Sequence, residues 1–125
     1  MIEVPDTDRA TIRAREEIAA AHDRVLASRN ASLASGLLAA DEVEDPYTRG
    51  ELAALGWVLG TAGVAPLTGQ TGVDVADTWA VANEQYLATN MLYRRAEMDR
   101  RGRHYVSGVE AALMWVRCQT DSEPL

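Results

Sequence analysis

The sequence contains no lysine and no phenylalanine, and it has only one cysteine and four prolines. Its twelve basic residues are therefore all arginines. A single cysteine, Cys118, cannot form an internal disulfide, which predicts a protein of the reducing cytoplasm. We interpret Cys118 itself as an unreactive residue of a helix.

Long apolar runs are also absent, since no stretch approaches the ~18 apolar residues that a membrane span requires. The N-terminus, from Met1 to Asp6, is acidic where a secretory signal would be basic and then apolar. The net charge is −7, which disfavours non-specific binding to nucleic acids and to anionic membranes. We therefore expect a soluble cytoplasmic protein that has no membrane partner and for which nucleic acid is an unfavoured ligand.

The composition that remains is typical of one helical domain. The chain has 125 residues, of which 47% are apolar and 25% are charged, and alanine is abundant. A chain of this length can bury a modest core without disulfides or metals. The sequence therefore predicts an all-α protein, a compact bundle of four to five helices, in a single domain over residues 1–125.

The first helix is expected to begin at a capping residue, and Asp6, Thr7 and Asp8 can each serve. The buried stripe of apolar residues along this helix is interrupted at Arg29 and Asn30, where a kink or a break is predicted. The apolar residues of the stripe recur mainly at spacings of four and seven: Ile18, Val25, Leu26, Leu33 and Leu37.

The second helix is predicted to begin at Asp45 and Pro46 and to end at Gly60, because aspartate caps a helix and proline suits its first position. The glycine-rich residues 63–72 cannot continue a helix. We expect a loop whose apolar residues pack back against the bundle: Val64, Ala65, Leu67 and Val73.

The third helix is expected to begin near Asp74 and to end at Arg100, Arg101 and Gly102, with Gly102 as its C-terminal cap. A fourth helix is predicted from Tyr105 to Cys118, followed by a frayed tail. We also predict that one buried face of the third helix carries its aromatic residues: Val75, Trp79, Ala82, Tyr86 and Tyr93.

Part of the second predicted helix reappears in the fourth. Residues 47–67 align with residues 105–125 at a constant offset of 58, and nine of the 21 positions are identical. The identities include tyrosine, glycine and tryptophan, which rarely coincide by chance. We therefore predict an internal duplication, with copy one over about residues 6–69 and copy two over about residues 74–125.

The repeated segment places small and aromatic residues on one helix face, because positions i, i+3, i+7 and i+10 lie on the same side. Glycine inside a helix costs ~1 kcal/mol relative to alanine, so its presence in both copies predicts close packing. We expect two helical hairpins related by a pseudo-twofold axis, whose short helices meet at these residues. This interaction and structural motif comprises Tyr47, Gly50, Ala54, Trp57, Tyr105, Gly108, Ala112 and Trp115.

The first copy reads Tyr-x-x-Gly-x-x-x-Ala-Leu-x-Trp-Val-Leu-Gly from Tyr47 to Gly60 and continues into Pro-Leu-Thr-Gly at residues 66–69. This pattern, which together with its second copy covers about a third of the chain, resembles segments of small uncharacterised proteins of actinobacteria and their phages. The second copy departs from it at Arg117 and Cys118, which stand where the first has leucine and glycine. The resemblance implies an actinobacterial or phage source and no particular activity.

Five arginines form the one basic cluster of the sequence: Arg94, Arg95, Arg100, Arg101 and Arg103. Guanidinium forks bind phosphates at two points, so the cluster could hold a nucleotide, an RNA or an acidic partner. A simpler interpretation makes these residues a helix C-terminus, where positive side chains complement the helix dipole. Both interpretations stay open, because five arginines exceed what a helix end needs.

No metal, cofactor or catalytic set is predicted. His22 has no second ligand at helical spacing and is interpreted as a partly buried imidazole. The acidic residues 41–45 lack the spacing of a calcium loop, and the glycine-rich stretch lacks the Gly-Lys-Ser/Thr of a phosphate loop. No Ser-His-Asp or Cys-His set can be assembled, and the helical glutamates, Glu84 and Glu110 among them, are interpreted as exposed.

These observations favour a small, acidic, non-enzymatic protein-interaction module, such as an inhibitor, an antitoxin or a phage accessory factor, that binds a basic protein. One alternative is a helical binder or small enzyme that acts on a phosphorylated or nucleic-acid ligand through Arg94–Arg103. Another is a structural virion component. Three tryptophans and four tyrosines are many for so small a core, which also predicts a homodimer.

Overall fold

Four helices form the part of the chain described by the structure, a computed structural model covering residues 12–35, 45–71, 78–93 and 98–124. They are α1 (Arg15–Ser35), α2 (Pro46–Leu59), α3 (Thr78–Tyr93) and α4 (Arg100–Val116). Over these ranges the only β pairing is a single bridge between Val64 and Thr71. The prediction of an all-α protein is therefore confirmed.

The helices pack as two pairs, and the second helix of one pair packs against the second helix of the other. Helix α1 packs on α2, α3 packs on α4, and the largest contact joins α2 to α4. As predicted, Ile18 and Val25 of α1 are buried. The core between the helices is built mainly from aliphatic and tryptophan side chains: Ile18, Val25, Leu55, Trp57, Val81, Val109, Leu113 and Trp115. Among the described helices, none combines the length and the apolar character that crossing a membrane requires.

Helix α1 differs from the prediction at its start and in its middle. It begins at Arg15, because the preceding backbone is used elsewhere: the Arg13 N–H donates to the Val116 carbonyl at 2.8 Å. The proposed caps at residues 6–8 lie outside the described residues. The predicted break at Arg29 and Asn30 is wrong, since the helix is continuous to Ser35. Asn30 is exposed, so it interrupts the apolar stripe in the sequence without disturbing the packed face.

Helix α2 begins and ends where the sequence predicts. The Asp45 carboxylate accepts from the Tyr47 N–H at 3.3 Å, and Pro46 occupies the first turn. Gly60 ends the helix in the left-handed conformation, with φ of 83°. Both ends follow from residue types whose conformational preferences are strong.

The boundary between the last two helices is not where the sequence predicts it. Arg100, Arg101 and Gly102 do not end α3; they form the first turn of α4, so α4 begins at Arg100 and not at Tyr105. The cause is Asp99, whose carboxylate accepts from the Gly102 N–H at 2.7 Å. A side-chain cap stabilises a helix start by ~1 kcal/mol, and Gly102 lies within the first turn that Asp99 caps.

The predicted buried face of α3 is also wrong, because its aromatic residues are largely exposed. Trp79 is 53% exposed, Tyr86 52% and Tyr93 81%. Of the other two members, Ala82 is buried as predicted and Val75 lies outside the described residues. Small or unbranched side chains face the core instead: Val81, Ala82, Gln85 and Ala88. The helix is therefore rotated to bring its narrow side against α4.

The segments that follow α2 and α4 are packed against the bundle. In the loop after α2, Ala65 is buried and Leu67 packs on the core, as predicted, whereas Val64 is 49% exposed. The prediction that the tail after α4 is frayed is wrong, because Pro124 is buried and the Glu123 carboxylate accepts from Arg24 Nη2 at 2.6 Å.

Helices α2 and α4 end in the same backbone geometry. The Gly60 N–H donates to Trp57 O and the Cys118 N–H to Trp115 O, both at 3.0 Å. Gly60 has φ of 83° and Cys118, at the position aligned with it, has φ of 60°. The prediction that Cys118 is helical is wrong: the helix ends at Val116, and Cys118 is an exposed residue in a conformation that favours glycine.

Cys118→Gly is expected to raise the free energy of unfolding by about 1 kcal/mol, because it removes the left-handed strain of a residue with a Cβ. The reciprocal variant, Gly60→Ala, is expected to lower it by about 1 kcal/mol, because alanine resists the φ of 83° found there. Urea unfolding followed by circular dichroism measures both. Equal stability of Cys118→Gly and the wild type would contradict the assignment of strain to Cys118.

Candidate protein-interaction surface

The repeated segments meet at their glycines, which face each other across the α2–α4 contact. A Cβ added to Gly50 would collide with the Tyr105 carbonyl oxygen and lie 3.0 Å from the Val109 nitrogen. A Cβ added to Gly108 would collide with the Tyr47 carbonyl oxygen and lie 3.2 Å from the Glu51 nitrogen. Each glycine thus receives the backbone of the opposite helix, with no room for a side chain.

The remaining residues of the motif lie around this crossing. Ala54 and Ala112 are fully buried, and the two tryptophans of the motif, Trp57 and Trp115, are also buried. With Tyr47 and Tyr105 only half-buried at its edge, the motif is almost entirely enclosed. Its residues therefore build the core and leave little surface for a partner.

Each motif tyrosine lies beside the segment that follows the opposite helix. The Tyr105 hydroxyl donates to the Pro66 carbonyl at 2.8 Å, and Tyr47 shares a surface cavity with Pro124. Burial raises the pKa of both phenols, and the carboxylate of Glu51 raises that of Tyr47 further. The Tyr105 hydroxyl therefore holds the loop after α2 against the bundle.

The arginine cluster is divided by the structure. Arg94 and Arg95 lie outside the described residues, Arg100 and Arg101 are exposed, and Arg103 is half-buried. The last three lie in the first turn of α4, so the interpretation of these residues as a helix C-terminus is wrong. Two of the arginines that the structure describes, Arg101 and Arg49 of α2, line one open cleft of about 360 Å³ together with Asp99, Gly102 and Tyr105.

The aromatic stripe of α3, formed by Trp79, Tyr86 and Tyr93, is the most prominent exposed feature of the described residues. Its members are seven residues apart and therefore lie along one side of the helix. Asn83 and Asn90 are exposed at intermediate positions of the same side. The Arg117 guanidinium lies over the Tyr86 ring, 5.4 Å from its centre, which is within the range of a cation–π interaction.

A cavity of about 310 Å³ adjoins the N-terminal end of the stripe. Trp79 and the buried Trp57 line it, together with Thr68, Gln70 and Asn83. Glu84 lines it as well, and this residue is only 4% exposed. The cavity therefore combines two indoles with a carboxylate, on the protein surface between α3 and the loop after α2.

Glu84 is held in place by backbone donors. One of its carboxylate oxygens accepts from the Leu67 N–H at 2.8 Å and from the Thr68 N–H at 3.2 Å. The prediction that Glu84 is exposed is wrong for this reason, since two amides replace part of its hydration. Glu110 is half-buried and accepts from the Thr89 hydroxyl at 2.7 Å.

A polar network that the sequence does not reveal connects α3 to the end of α4. Arg117 Nη1 donates to the Gln85 side chain at 2.7 Å, and Gln85 donates to the Gln119 side chain at 2.6 Å. Arg117 and Gln85 are both buried. The only signal in the sequence is that arginine replaces an apolar residue of the repeat at this position.

The residues considered for metal binding or reactivity stand apart from one another. His22 is half-buried, and its nearest acidic neighbour is the Asp23 carboxylate at 3.5 Å. The acidic run at residues 41–45 lies outside the described residues except for the cap Asp45. Within the described ranges, no three His, Cys, Asp or Glu side chains come together as metal ligands would.

Comparison of the chain with protein-family models, with curated protein sequences and with solved structures gives no match.

Proposed function

We propose that this chain is a small, acidic, non-enzymatic protein-interaction module that binds a basic protein through α3. The observation that carries the proposal is the exposure of the aromatic stripe, whose three members are 53%, 52% and 81% exposed. Tyrosine and tryptophan are enriched at the centres of protein interfaces, because they bury a large area with few rotatable bonds. Their exposure along one helix is costly unless a partner covers them.

The charge of the same region supports a basic partner. Residues 50–93, which include α3 and most of α2, contain four acidic residues and no basic residue, and Arg49 of α2 lies just outside this range. A basic surface approaching the protein is attracted by its net charge of −7. Cationic side chains also bind favourably to the faces of exposed tyrosine and tryptophan rings.

We further propose that the scaffold beneath this surface is a duplicated helical hairpin with a pseudo-twofold axis. The reciprocal contacts of Gly50 and Gly108 and the equivalent bonds after Trp57 and Trp115 support it. In this arrangement α1 and α3 occupy corresponding positions, and only α3 carries the aromatic stripe. The duplication thus supplies a rigid core, and one copy supplies the binding surface.

A phage-displayed library of random peptides tests the proposed function. We expect the protein to select peptides rich in arginine and lysine, and Tyr86→Ser/Tyr93→Ser to lower their affinity by about tenfold or more. Titration calorimetry on the selected peptides gives the affinity, and circular dichroism shows whether the variant keeps its fold. Selection of acidic or uncharged peptides, or unchanged affinity in the double variant, would refute the proposal.

Arg100→Glu/Arg101→Glu is the matched control, because it also changes two exposed residues but leaves α3 intact. We expect it to bind the selected peptides almost as the wild type does. The alternative function, binding of a phosphorylated or nucleic-acid ligand, is favoured by the cleft between Arg49 and Arg101. It predicts instead that the wild type binds single-stranded RNA and that this variant does not.

The same preparation tests the two assembly hypotheses. A homodimer formed through the stripe would give twice the monomer mass in light scattering, and Tyr86→Ser/Tyr93→Ser would return it to the monomer. A structural virion component would form larger assemblies. Against either outcome, the proposed function expects a monomer whose stripe stays open to a different protein.

A further inference from the structure

We propose that the cavity between Trp57, Trp79 and Glu84 is the site that takes an arginine side chain of the partner. This inference rests on the proposed function and specifies where the basic partner is recognised. The cavity opens beside Trp79, so an arginine inserted there would lie at one end of the aromatic stripe. The rest of the partner would then continue along α3 over Tyr86 and Tyr93.

The aromatic walls of the cavity suit a flat cation. Trp57 is buried and fixed in the core, whereas Trp79 is 53% exposed on α3. A guanidinium is planar and weakly hydrated, so it stacks on aromatic faces at a lower desolvation cost than an ammonium. Tryptophan is the aromatic side chain that attracts cations most strongly.

The polar lining matches the donors of a guanidinium. Glu84 brings a negative charge that its two bonds from neutral backbone amides do not cancel. Thr68, Gln70 and Asn83, which also line the cavity, are polar residues that carry further acceptor oxygens. Arginine has five N–H donors in a fixed fork, and a site with several acceptors binds it better than it binds the three donors of a lysine.

The lining also disfavours the other classes of ligand. An apolar side chain would remove water from the Glu84 carboxylate without offering it a donor, which is unfavourable. A phosphate or a carboxylate would be repelled by the same charge. The sequence from Gly50 to Tyr93 has no arginine or lysine that could fill the site from this part of the chain.

Indole signals in ¹H–¹⁵N correlation spectra give a direct test, since the chain has three tryptophans. The labelled protein is titrated with Nα-acetyl-arginine amide into the millimolar range. We expect the indole signals of Trp57 and Trp79 to shift and that of Trp115, which is buried away from the cavity, to stay in place. Nα-acetyl-citrulline amide, which has nearly the same shape without the charge, is expected to cause no shift, and the lysine analogue a smaller one.

Glu84→Gln is the matched variant, because its amide oxygen can still accept from Leu67 and Thr68 while the charge is lost. We expect it to weaken binding of the arginine amide by about tenfold. Arg24→Ala, on α1 and outside the cavity, is expected to leave the affinity for the arginine amide unchanged. If Glu84→Gln does not fold, the comparison of arginine with citrulline on the wild type decides the question alone.

Three results would overturn the inference: no shift of Trp57 and Trp79, equal shifts with citrulline, or an equal shift of Trp115. Each is distinguishable from failure of the proposed function. Selection of basic peptides through Tyr86 and Tyr93 without arginine-specific indole shifts would support the proposed function and refute the arginine site. Arginine-specific indole shifts without selection of any basic peptide would support the arginine site and refute the proposed function.

Discussion

Gly108→Ala is expected to lower the free energy of unfolding by about 3 kcal/mol or more. The added Cβ would collide with the Tyr47 carbonyl oxygen and lie 2.9 Å from the carbon of that carbonyl. Because the obstacle is the backbone of α2 and not a flexible side chain, the two helices would have to separate. A loss of this size is a large part of the ~5–15 kcal/mol by which small domains are stable.

Gly50→Ala is expected to cause a similar loss, because its Cβ would collide with the Tyr105 carbonyl in the same way. Gly63→Ala is the control: nothing lies within 4 Å of a Cβ at that position, so the stability should change little. Urea unfolding followed by circular dichroism compares the three variants. Near wild-type stability of Gly108→Ala would contradict the close approach of α2 and α4.

Arg13→Ala is expected to lower the free energy of unfolding by about 2–3 kcal/mol, because several charge-assisted interactions disappear together. Arg13 Nε donates to the Trp115 carbonyl at 2.6 Å and Nη2 to the Thr120 carbonyl at 2.9 Å. The guanidinium also lies 4.6 Å from the centre of the Trp115 ring. It therefore satisfies one carbonyl in the last turn of α4 and one in the tail, and it ties the residues before α1 to both.

Arg24→Ala is the matched control for this prediction. Arg24 also forms an ion pair, with Glu123 at 2.6 Å, but the side chains of the pair are 45% and 52% exposed. Exposed pairs contribute less than about 1 kcal/mol, so its removal should cost much less. Arg13→Lys is expected to fall close to Arg13→Ala, because an ammonium cannot reproduce the two-point contact. Equal stability of the Arg13→Ala and Arg24→Ala variants would contradict the proposed role of Arg13.

The parts of the fold that could be predicted from the sequence are those fixed by local chemistry. Asp45, Pro46 and Gly60 define α2 because each residue type has a strong positional preference. Ile18 and Val25 are spaced along one side of α1, and both are buried. In each of these cases neighbouring residues alone determine the structure.

The third and fourth helices show why local chemistry is not sufficient. The periodicity of the aromatic residues predicts that Trp79, Tyr86 and Tyr93 are buried, but a helix presents to the core whichever side packs best. Here that side carries Val81 and Ala88, because small side chains let α3 approach α4 closely. Gly102 is likewise not the C-terminal cap of α3 that the sequence predicts, because the N-terminal cap at Asp99 decides the helix boundary.

The candidate site could be predicted only in part. The absence of basic residues between Gly50 and Tyr93 is visible in the sequence and indicates a basic partner. The cavity is not visible, because Trp57 and Glu84 are brought together by the loop after α2. Glu84 reads as a surface residue until the backbone donors of Leu67 and Thr68 are seen.

The crossing of α2 and α4 also has a consequence for the order in which the protein folds on the ribosome. Its glycines are 58 positions apart, so the largest helix–helix contact joins the two halves of the chain and not neighbours. While α4 is still in the exit tunnel, the buried side of α2 has only α1 to cover it. Contacts of such long range form late, and the nascent first half should consequently remain loosely structured and sensitive to protease until α4 has left the tunnel.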